Sequence, residues 1–278
     1  MTTSNNSKTD IKTYETVSEF IDACNQPIDP TWAGSNRSSR GETGGWHGTK
    51  TYEEAVKLAT YGWETGLKQM NDGIAKIQKE TLGRVMVKSV AGSHPDVARF
   101  ISGMPDCMNT RVYSDSAKKP CIDIAINASY SASIKPDQIM NYGIAVASLI
   151  DDLESNGYSI QLAVASTSIN HSNVNQGCLI RIKNHGESMD IGKLVYFIAH
   201  PSFLRRLAFS HWEANNKQSD LSYGYGTIAD LPKPMQGDLY FGKEGSLSKC
   251  NDIRAAVDYV QSVVRAQMPD LIDAREAA

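Results

Sequence analysis

CIDIAIN, at Cys121–Asn127, is the segment from which the architecture of this chain is best inferred. Isoleucine occupies every second position, at Ile122, Ile124 and Ile126, and the residues between them are small or polar. Successive side chains of a β-strand point to opposite faces of the sheet, so this alternation predicts a strand with one buried face. The segment opens a longer block, Cys121–Glu213, in which strand and helix patterns follow one another.

A long helix is predicted directly after this strand. Pro136 suits the first turn of a helix, where its missing N–H is not needed, and Gly157 lies where a left-handed C-cap belongs. The apolar residues between these two positions recur three or four residues apart, at Ile139, Val146, Leu149, Ile150 and Leu153.

Two more strands are predicted from alternation, at residues 158–164 and 178–182. In the second of them Arg181 and Lys183 lie on the face opposite to Cys178, Ile180 and Ile182. An antiparallel sheet with one solvated face has this pattern. We therefore predict an α/β (α+β) fold with a mixed, largely antiparallel sheet that is backed by helices.

The 278 residues are expected to form one domain, residues 16–268, between a disordered tail at 1–15 and a frayed tail at 269–278. The first residues have almost no apolar content, so burial cannot offset the entropy lost on ordering them. Further helices are predicted at 16–24, 49–77, 94–102 and 249–267, a strand at 84–90, and basic loops at 33–48, 103–120 and 215–245.

The composition favours a soluble chain with a sizeable core. Hydrophobic residues make up 41% of the sequence, yet no run of about 18 apolar residues is present, and the first ten residues lack an apolar leader segment. We expect no membrane contact. The five cysteines are scattered without a C-x-x-C pair, so we interpret them as ordinary thiols. A net charge of −3 argues against a wholly basic protein but leaves room for local basic patches.

No catalytic signature is found in the sequence. It contains no G-x-S-x-G, G-x-x-x-x-G-K-[ST], H-E-x-x-H or G-x-G-x-x-G motif, and its six histidines are dispersed. We therefore predict no metal site, no cofactor and no enzymatic activity. A nucleotide-processing enzyme would need a metal or catalytic cluster that these patterns do not supply.

The strongest cationic segment is HPSFLRRLAFSHW, at His200–Trp212. Its apolar residues can form a buried helical stripe, which would leave Arg205 and partly Arg206 to project. Together with Arg181 and Lys183 they would form a positive strip for phosphate contacts, which give affinity without reading base sequence. The alternative is that the two arginines pair with carboxylates of neighbouring helices.

The predicted loops supply further candidates for binding a nucleic acid. Basic side chains at Arg37, Arg40, Lys118 and Lys119 would extend the phosphate contacts, and Tyr223 and Tyr225, interleaved with glycine, would stack on bases. A packed loop is the alternative for the tyrosines. Trp46 and Trp63 are interpreted as core residues in preference to stacking platforms.

Seven ordered motifs in this chain resemble those of a family of phage proteins. They span roughly Trp46 to Glu213, and the long helix has Tyr142–Gly143 where such families usually carry an R-G pair. The motifs are W-x-G-T at Trp46–Thr49, E-E-A at Glu53–Ala55, G-W at Gly62–Trp63, P-D-V-A-R-F at Pro95–Phe100, G-x-P-D-C-M at Gly103–Met108, L-E-x-x-G-Y at Leu153–Tyr158 and H-P-S-F-L-R-R at His200–Arg206.

The family that the chain resembles is the single-stranded-DNA-binding RNA polymerase cofactor of Schitoviridae-type phages. The resemblance implies a non-catalytic protein of the host cytoplasm, with a fold distinct from the OB-fold. It would coat exposed single-stranded DNA and help recruit a phage-encoded RNA polymerase. A second hypothesis is a phage structural or assembly protein that self-associates as a homo-oligomer, in a ring or filament.

Overall fold

A computed structural model gives the fold of the chain. It describes residues 8–32, 39–41, 45–69, 72, 87–89, 94–95, 102, 105, 108–110, 120–188, 190–220, 225–242, 247–269 and 271.

An open six-stranded sheet forms the centre of the structure. Its strands are β1 (Thr9–Tyr14), β5 (Cys121–Asn127), β6 (Ser159–Ile169), β7 (Asn175–Lys183), β8 (Thr227–Ile228) and β9 (Leu239–Phe241). The order across the sheet is β1-β7-β6-β5-β9, and β8 pairs with β6 beside this path. A smaller sheet of order β2-β4-β3 is made by β2 (Val87–Ser89), β3 (His94–Pro95) and β4 (Met108–Thr110).

The strand pairings confirm the predicted fold class. In the central sheet β1–β7, β5–β6 and β5–β9 are parallel, whereas β6–β7 and β6–β8 are antiparallel. Both pairings of the smaller sheet are antiparallel. The sheet is therefore mixed, and the parallel pair β5–β6 arises because a helix connects the two strands and returns the chain to the starting edge.

Helices cover the central sheet and enclose the main core. They are α1 (Val17–Cys24), α2 (Tyr52–Tyr61), α3 (Pro136–Ser155), α4 (Ile191–Ala199), a π-helix (Phe203–Ala208), α5 (Phe209–Asn215) and α6 (Ile253–Gln267). Short 3₁₀ turns lie at Pro30–Trp32, Gly45–His47, Gln218–Asp220, Lys233–Met235 and Leu247–Lys249.

Local signals set the ends of several helices, and those of α3 lie where they were predicted. Thr16 caps α1 by accepting a hydrogen bond from the Glu19 N–H, and Thr51 caps α2 in the same way. Pro136 is the first residue of α3, and Gly157 follows this helix with a φ of +89°. These caps depend on residues within one turn of each other, so the sequence alone specifies them.

The long helix α3 packs closely against α4 because Gly143 has no side chain. A Cβ atom at this position would lie 2.7 Å from the Cβ of Ala199, which is nearer than two carbon atoms can approach. Ile150 and Leu153 of α3 are fully buried against the same core. Close contact between the two helices therefore depends on glycine in the middle of α3.

The predicted disordered tail is wrong for residues 9–14, which form β1. This strand pairs in parallel with β7 and so satisfies its backbone polar groups on one side. Tyr14 packs its ring edge-on against Phe20, and its hydroxyl lies 2.8 Å from Nε2 of His211. The polar composition is compatible with order because a distant strand supplies the pairing. Residues 1–7 lie outside the described part of the chain.

The predicted helix at 49–77 is interrupted. Its first part, α2, ends at Tyr61 because Gly62 adopts a φ of +88°, and a Cβ there would lie 3.0 Å from the backbone of Gly192. Helical geometry resumes at residues 64–69. Most of the remainder, 70–71 and 73–77, lies outside the described residues.

Two other expectations about local structure are also corrected. His94–Pro95 is a strand where a helix was predicted, because both residues pair with β4. The segment 215–245, predicted as a loop, contains β8 and β9. These strands are only two and three residues long, so alternation over such a short stretch carries almost no signal.

Candidate nucleic-acid interface

The carboxyl ends of β5 and β6 meet at one edge of the central sheet because these strands are parallel. Buried polar side chains at this edge bond to one another. Ser129 Oγ accepts a hydrogen bond from the Thr167 N–H at 2.8 Å and lies 3.2 Å from Ser166 Oγ. The Asn127 amide donates to the Ala229 carbonyl at 2.7 Å. Open α/β sheets bind ligands outside the carboxyl ends of their strands, which marks this edge as a candidate site.

Three buried polar atoms near this edge have no hydrogen-bond partner within the described residues. They are the hydroxyls of Tyr130 and Ser168 and the side-chain nitrogen of Gln176, which faces Ser168 across the β6–β7 pairing. An unpaired buried polar group costs roughly 1–3 kcal/mol, so such groups are uncommon. This end of the sheet therefore keeps hydrogen-bonding capacity that a ligand could satisfy.

Four aromatic rings form a continuous row beside this edge, which we call the aromatic stack: Trp46, Phe209, Tyr225 and Trp32. The ring centroids of successive members are 6.1, 3.7 and 5.4 Å apart. Phe209 and Tyr225 lie face to face, with 9° between their planes. Trp32 is buried, whereas Trp46 is 44% exposed. The stack therefore runs from the core to the surface and ends there in an indole ring.

Arg205 supports the exposed ring of Trp46 from below. Its Nη1 donates to the Trp46 carbonyl at 2.6 Å, and its guanidinium carbon lies 4.6 Å from the centre of the indole ring. The same guanidinium is 5.9 Å from the ring of Tyr130. Burial lowers the pKa of Arg205 from its ordinary value, yet an arginine remains charged at neutral pH. A positive charge is thus held between Trp46 and the strand ends.

The expectation that Arg205 and Arg206 project into solvent is wrong. Arg205 is only 4% exposed, and Arg206 is completely buried. The Arg206 guanidinium donates to four backbone carbonyls, those of Ser39, Gly41, Thr49 and Lys50, at 2.7–3.1 Å. The segment before α2 folds over this face of the π-helix, so Arg206 holds that segment and is not available to phosphate.

Lys183 and Arg181 do not form a positive strip with these arginines. Lys183 is buried, donates to the Ile160 carbonyl and forms a 2.8 Å ion pair with Glu154 in a polar pocket of about 200 Å³. Arg181 forms a 2.8 Å ion pair with Glu15. Both charges are therefore matched by carboxylates of the same chain.

Arg40 and Tyr225 also have roles inside the fold. Arg40 donates to Ser210 Oγ at 2.9 Å and to the carbonyls of Cys24 and Gln26. Tyr225 is an inner member of the aromatic stack, and its hydroxyl donates to Glu213 at 2.7 Å. Both side chains are half-buried and bonded within the chain, and the prediction that they contact DNA stays a prediction. The other candidates, Arg37, Lys118, Lys119 and Tyr223, lie outside the described residues.

Two features of this region were not predicted from the sequence. Trp46 was interpreted as core, but the turn Gly45–His47 places it at the surface. Glu213 is fully buried, accepts hydrogen bonds from the N–H and hydroxyl of Ser39, and has its pKa raised by loss of solvent. The glycines on either side of Trp46, at Gly45 and Gly48, were the available signal that this residue lies in a loop.

Neither a metal cluster nor a membrane span is found in the described ranges. No group of three or more histidine, cysteine, aspartate or glutamate side chains there could hold a metal ion. None of the described helices has the length and apolar character needed to cross a bilayer.

Comparison with known proteins gives a family match. The model of a domain of unknown function, DUF7192, matches residues 2–267. No curated protein and no solved structure matches the chain.

Proposed function

Because the chain belongs to the DUF7192 family, whose function is unknown, we propose a function from the geometry together with the sequence motifs: sequence-independent binding of single-stranded DNA. In this proposal the protein is a phage transcription cofactor. It coats exposed single strands and helps recruit the phage-encoded RNA polymerase. The proposed location is the host cytoplasm.

The exposed indole of Trp46 is the observation that carries the proposal. An unpaired base has a free π-face, whereas the bases of a duplex are already stacked on their neighbours. Stacking of one base on an aromatic side chain contributes roughly 1–3 kcal/mol and tolerates any base. Phe209 and Arg205 hold the ring of Trp46 in place, so little conformational entropy is lost when a base stacks on it.

The electrostatic part of the proposal differs from the one drawn from the sequence. Arg205, Arg206 and Lys183 are buried, so phosphate contacts have to come from other cations. Lys50 is exposed four residues after Trp46 and is suited to this role. With few phosphate contacts and a net charge of −3, we expect binding to weaken only moderately as salt increases.

The test is a fluorescence-anisotropy titration of single- and double-stranded oligonucleotides of equal length. Wild-type protein should bind the single strand more tightly, and Trp46→Ala should weaken that binding roughly 5- to 100-fold, because a stacking contact is lost. Tyr61→Ala is the matched control, since Tyr61 is an 81% exposed aromatic at the far end of α2. Circular dichroism would verify that both variants are folded.

Two results would contradict the proposal. One is tighter binding to the duplex than to the single strand. The other is an unchanged affinity of the Trp46→Ala variant. Recruitment of the polymerase, which the sequence motifs support, is tested separately by co-sedimentation of the phage-encoded enzyme with single-stranded DNA in the presence and absence of this protein.

A further inference from the structure

The two edges of the central sheet differ in whether their backbone groups are covered by a side chain. At the β9 edge the side-chain amide of Gln267 accepts a hydrogen bond from the Tyr240 N–H at 2.9 Å and donates to the Tyr240 carbonyl at 2.7 Å. These are the two bonds that a residue of a neighbouring strand would make. An exposed edge of unpaired N–H and C=O groups invites pairing with another chain, and Gln267 occupies the centre of this edge.

The β1 edge has no such cover within the described part of the chain, where β1 pairs only with β7. The Lys8 carbonyl accepts a hydrogen bond from the Asn175 N–H, so residues 8, 10, 12 and 14 direct their backbone groups to β7. Backbone direction alternates along a strand, and Thr9, Ile11 and Thr13 therefore direct their N–H and C=O groups outward. Thr9 and Thr13 are exposed, and Ile11 is half-buried.

The sequence of β1, TDIKTY, is complementary to itself when two copies run antiparallel about Ile11. In that register Ile11 faces Ile11 of the second copy, Thr9 faces Thr13, and Asp10 faces Lys12. The outward-directed residues Thr9, Ile11 and Thr13 become the hydrogen-bonded pairs. Asp10 and Lys12 fall in the non-hydrogen-bonded pairs, in which side chains approach most closely. Opposite charges and β-branched residues in such positions stabilise a sheet.

We propose that this protein forms a two-fold symmetric dimer in which the β1 strands of two copies pair antiparallel and join their central sheets into one. The partner is a second copy because the charges of Asp10 and Lys12 are satisfied twice by the symmetry. Ile11 of each copy also packs beside the smaller apolar cluster on one face of the sheet, so the paired isoleucines continue that cluster across the two-fold axis.

The same geometry makes the assembly closed. A contact between identical patches uses both patches at once, so it yields a dimer and not a filament. Growth at the opposite edge is opposed by Gln267 of α6, which covers β9. The dimer is independent of DNA binding and is measured without DNA.

Sedimentation velocity over a concentration series tests the dimer. Wild-type protein should sediment with twice the mass of one chain. Asp10→Lys should raise the dissociation constant about tenfold or more, because it places like charges opposite each other twice. Lys12→Asp should do the same. An equimolar mixture of the two variants should recover the wild-type mass, since each then supplies the charge that the other needs.

A backbone variant gives an independent readout. Ile11→Pro removes an outward N–H together with the isoleucine side chain, but it takes no hydrogen bond from the β1–β7 ladder, and proline is tolerated on an edge strand for this reason. It should sediment as a single chain with unchanged circular dichroism. The proposal is overturned if wild-type protein is a single chain at about 0.1 mM. It is equally overturned if the dimer persists in both Asp10→Lys and Ile11→Pro.

Discussion

Arg206 carries a positive charge into the interior because its planar guanidinium meets backbone carbonyls from two segments at once. Ser39 and Gly41 supply one side, and Thr49 and Lys50 the other. Carbonyls at turns lack the partners that helices and strands provide, and a forked donor satisfies several together. Arg206 therefore ties the segment before α2 to the π-helix, and it fixes indirectly the turn that carries Trp46.

Substitution of Arg206 by alanine should lower the free energy of unfolding by about 3 kcal/mol or more, since several buried carbonyls lose their donor. Arg206→Lys should lose less, because an ammonium group reaches some of the carbonyls but cannot fork. Urea unfolding followed by circular dichroism measures both. Arg254→Ala is the control: Arg254 is exposed on α6 and its removal should change stability by under about 0.5 kcal/mol. Equal stability of Arg206→Ala and Arg254→Ala would refute this role.

Edge strands in this fold are short and depend on partners that are far away in the chain. β9 has only three residues, all buried, and it pairs in parallel with β5 on one side. On its other side Gln267 of α6 takes the place of a strand. The C-terminal helix thus contributes to the sheet itself as well as to the apolar core beneath it.

Replacing Gln267 by alanine should destabilise the protein by roughly 1–2 kcal/mol, because two hydrogen bonds to the Tyr240 backbone are lost. The uncovered β9 edge should also promote association beyond the proposed dimer, because the β9 edge of each copy would then be open to pairing. Thermal unfolding and sedimentation velocity measure these two effects. Gln261→Ala, on the same helix, is the matched control, and an identical result for both variants would show that the amide of Gln267 has no such function.

Two buried histidines make the stability of the molecule depend on pH. His211 of α5 faces β1, with Nε2 2.8 Å from the Tyr14 hydroxyl, and His200 packs edge-on against Trp63 at 4.4 Å. The pKa of each is lowered to about 4, mainly by loss of solvent, and the charge of Lys12 contributes to the shift of His211. Both rings are therefore neutral in the folded protein at pH values where they are charged in the unfolded chain.

The free energy of unfolding should fall as the pH decreases from about 6.5 to about 4. In this window the unfolded chain binds more protons than the folded one. This lowers the free energy of unfolding by up to roughly 3 kcal/mol per histidine. Glu213 opposes the trend, since burial raises its pKa and protonation relieves the buried charge. Urea unfolding at several pH values measures the slope. His211→Gln should flatten it, whereas exposed His171→Gln should leave it unchanged, and equal slopes for all three proteins would contradict the assignment.

Periodicity in the sequence was sufficient to predict the elements that make up the middle of the fold. The strands β5, β6 and β7 and the helices α1, α3 and α6 follow from patterns of two or 3.6 residues. The cap at Thr16 and the start of α3 at Pro136 follow from contacts within one turn. The mixed sheet backed by helices follows from the same elements. This information is local, so it can be read from a short segment without knowledge of the rest of the chain.

The composition of the candidate site could be found only once the chain was folded. Arg206 meets the Ser39 carbonyl 167 residues away, and Trp46 rests on Arg205 from 159 residues away. Whether a cation or an aromatic ring faces solvent depends on which distant segment covers it, and no local pattern records that. For the same reason β1 was missed: its pairing partner Asn175 is far along the chain, and strand pairing at a sheet edge is a property of both strands together.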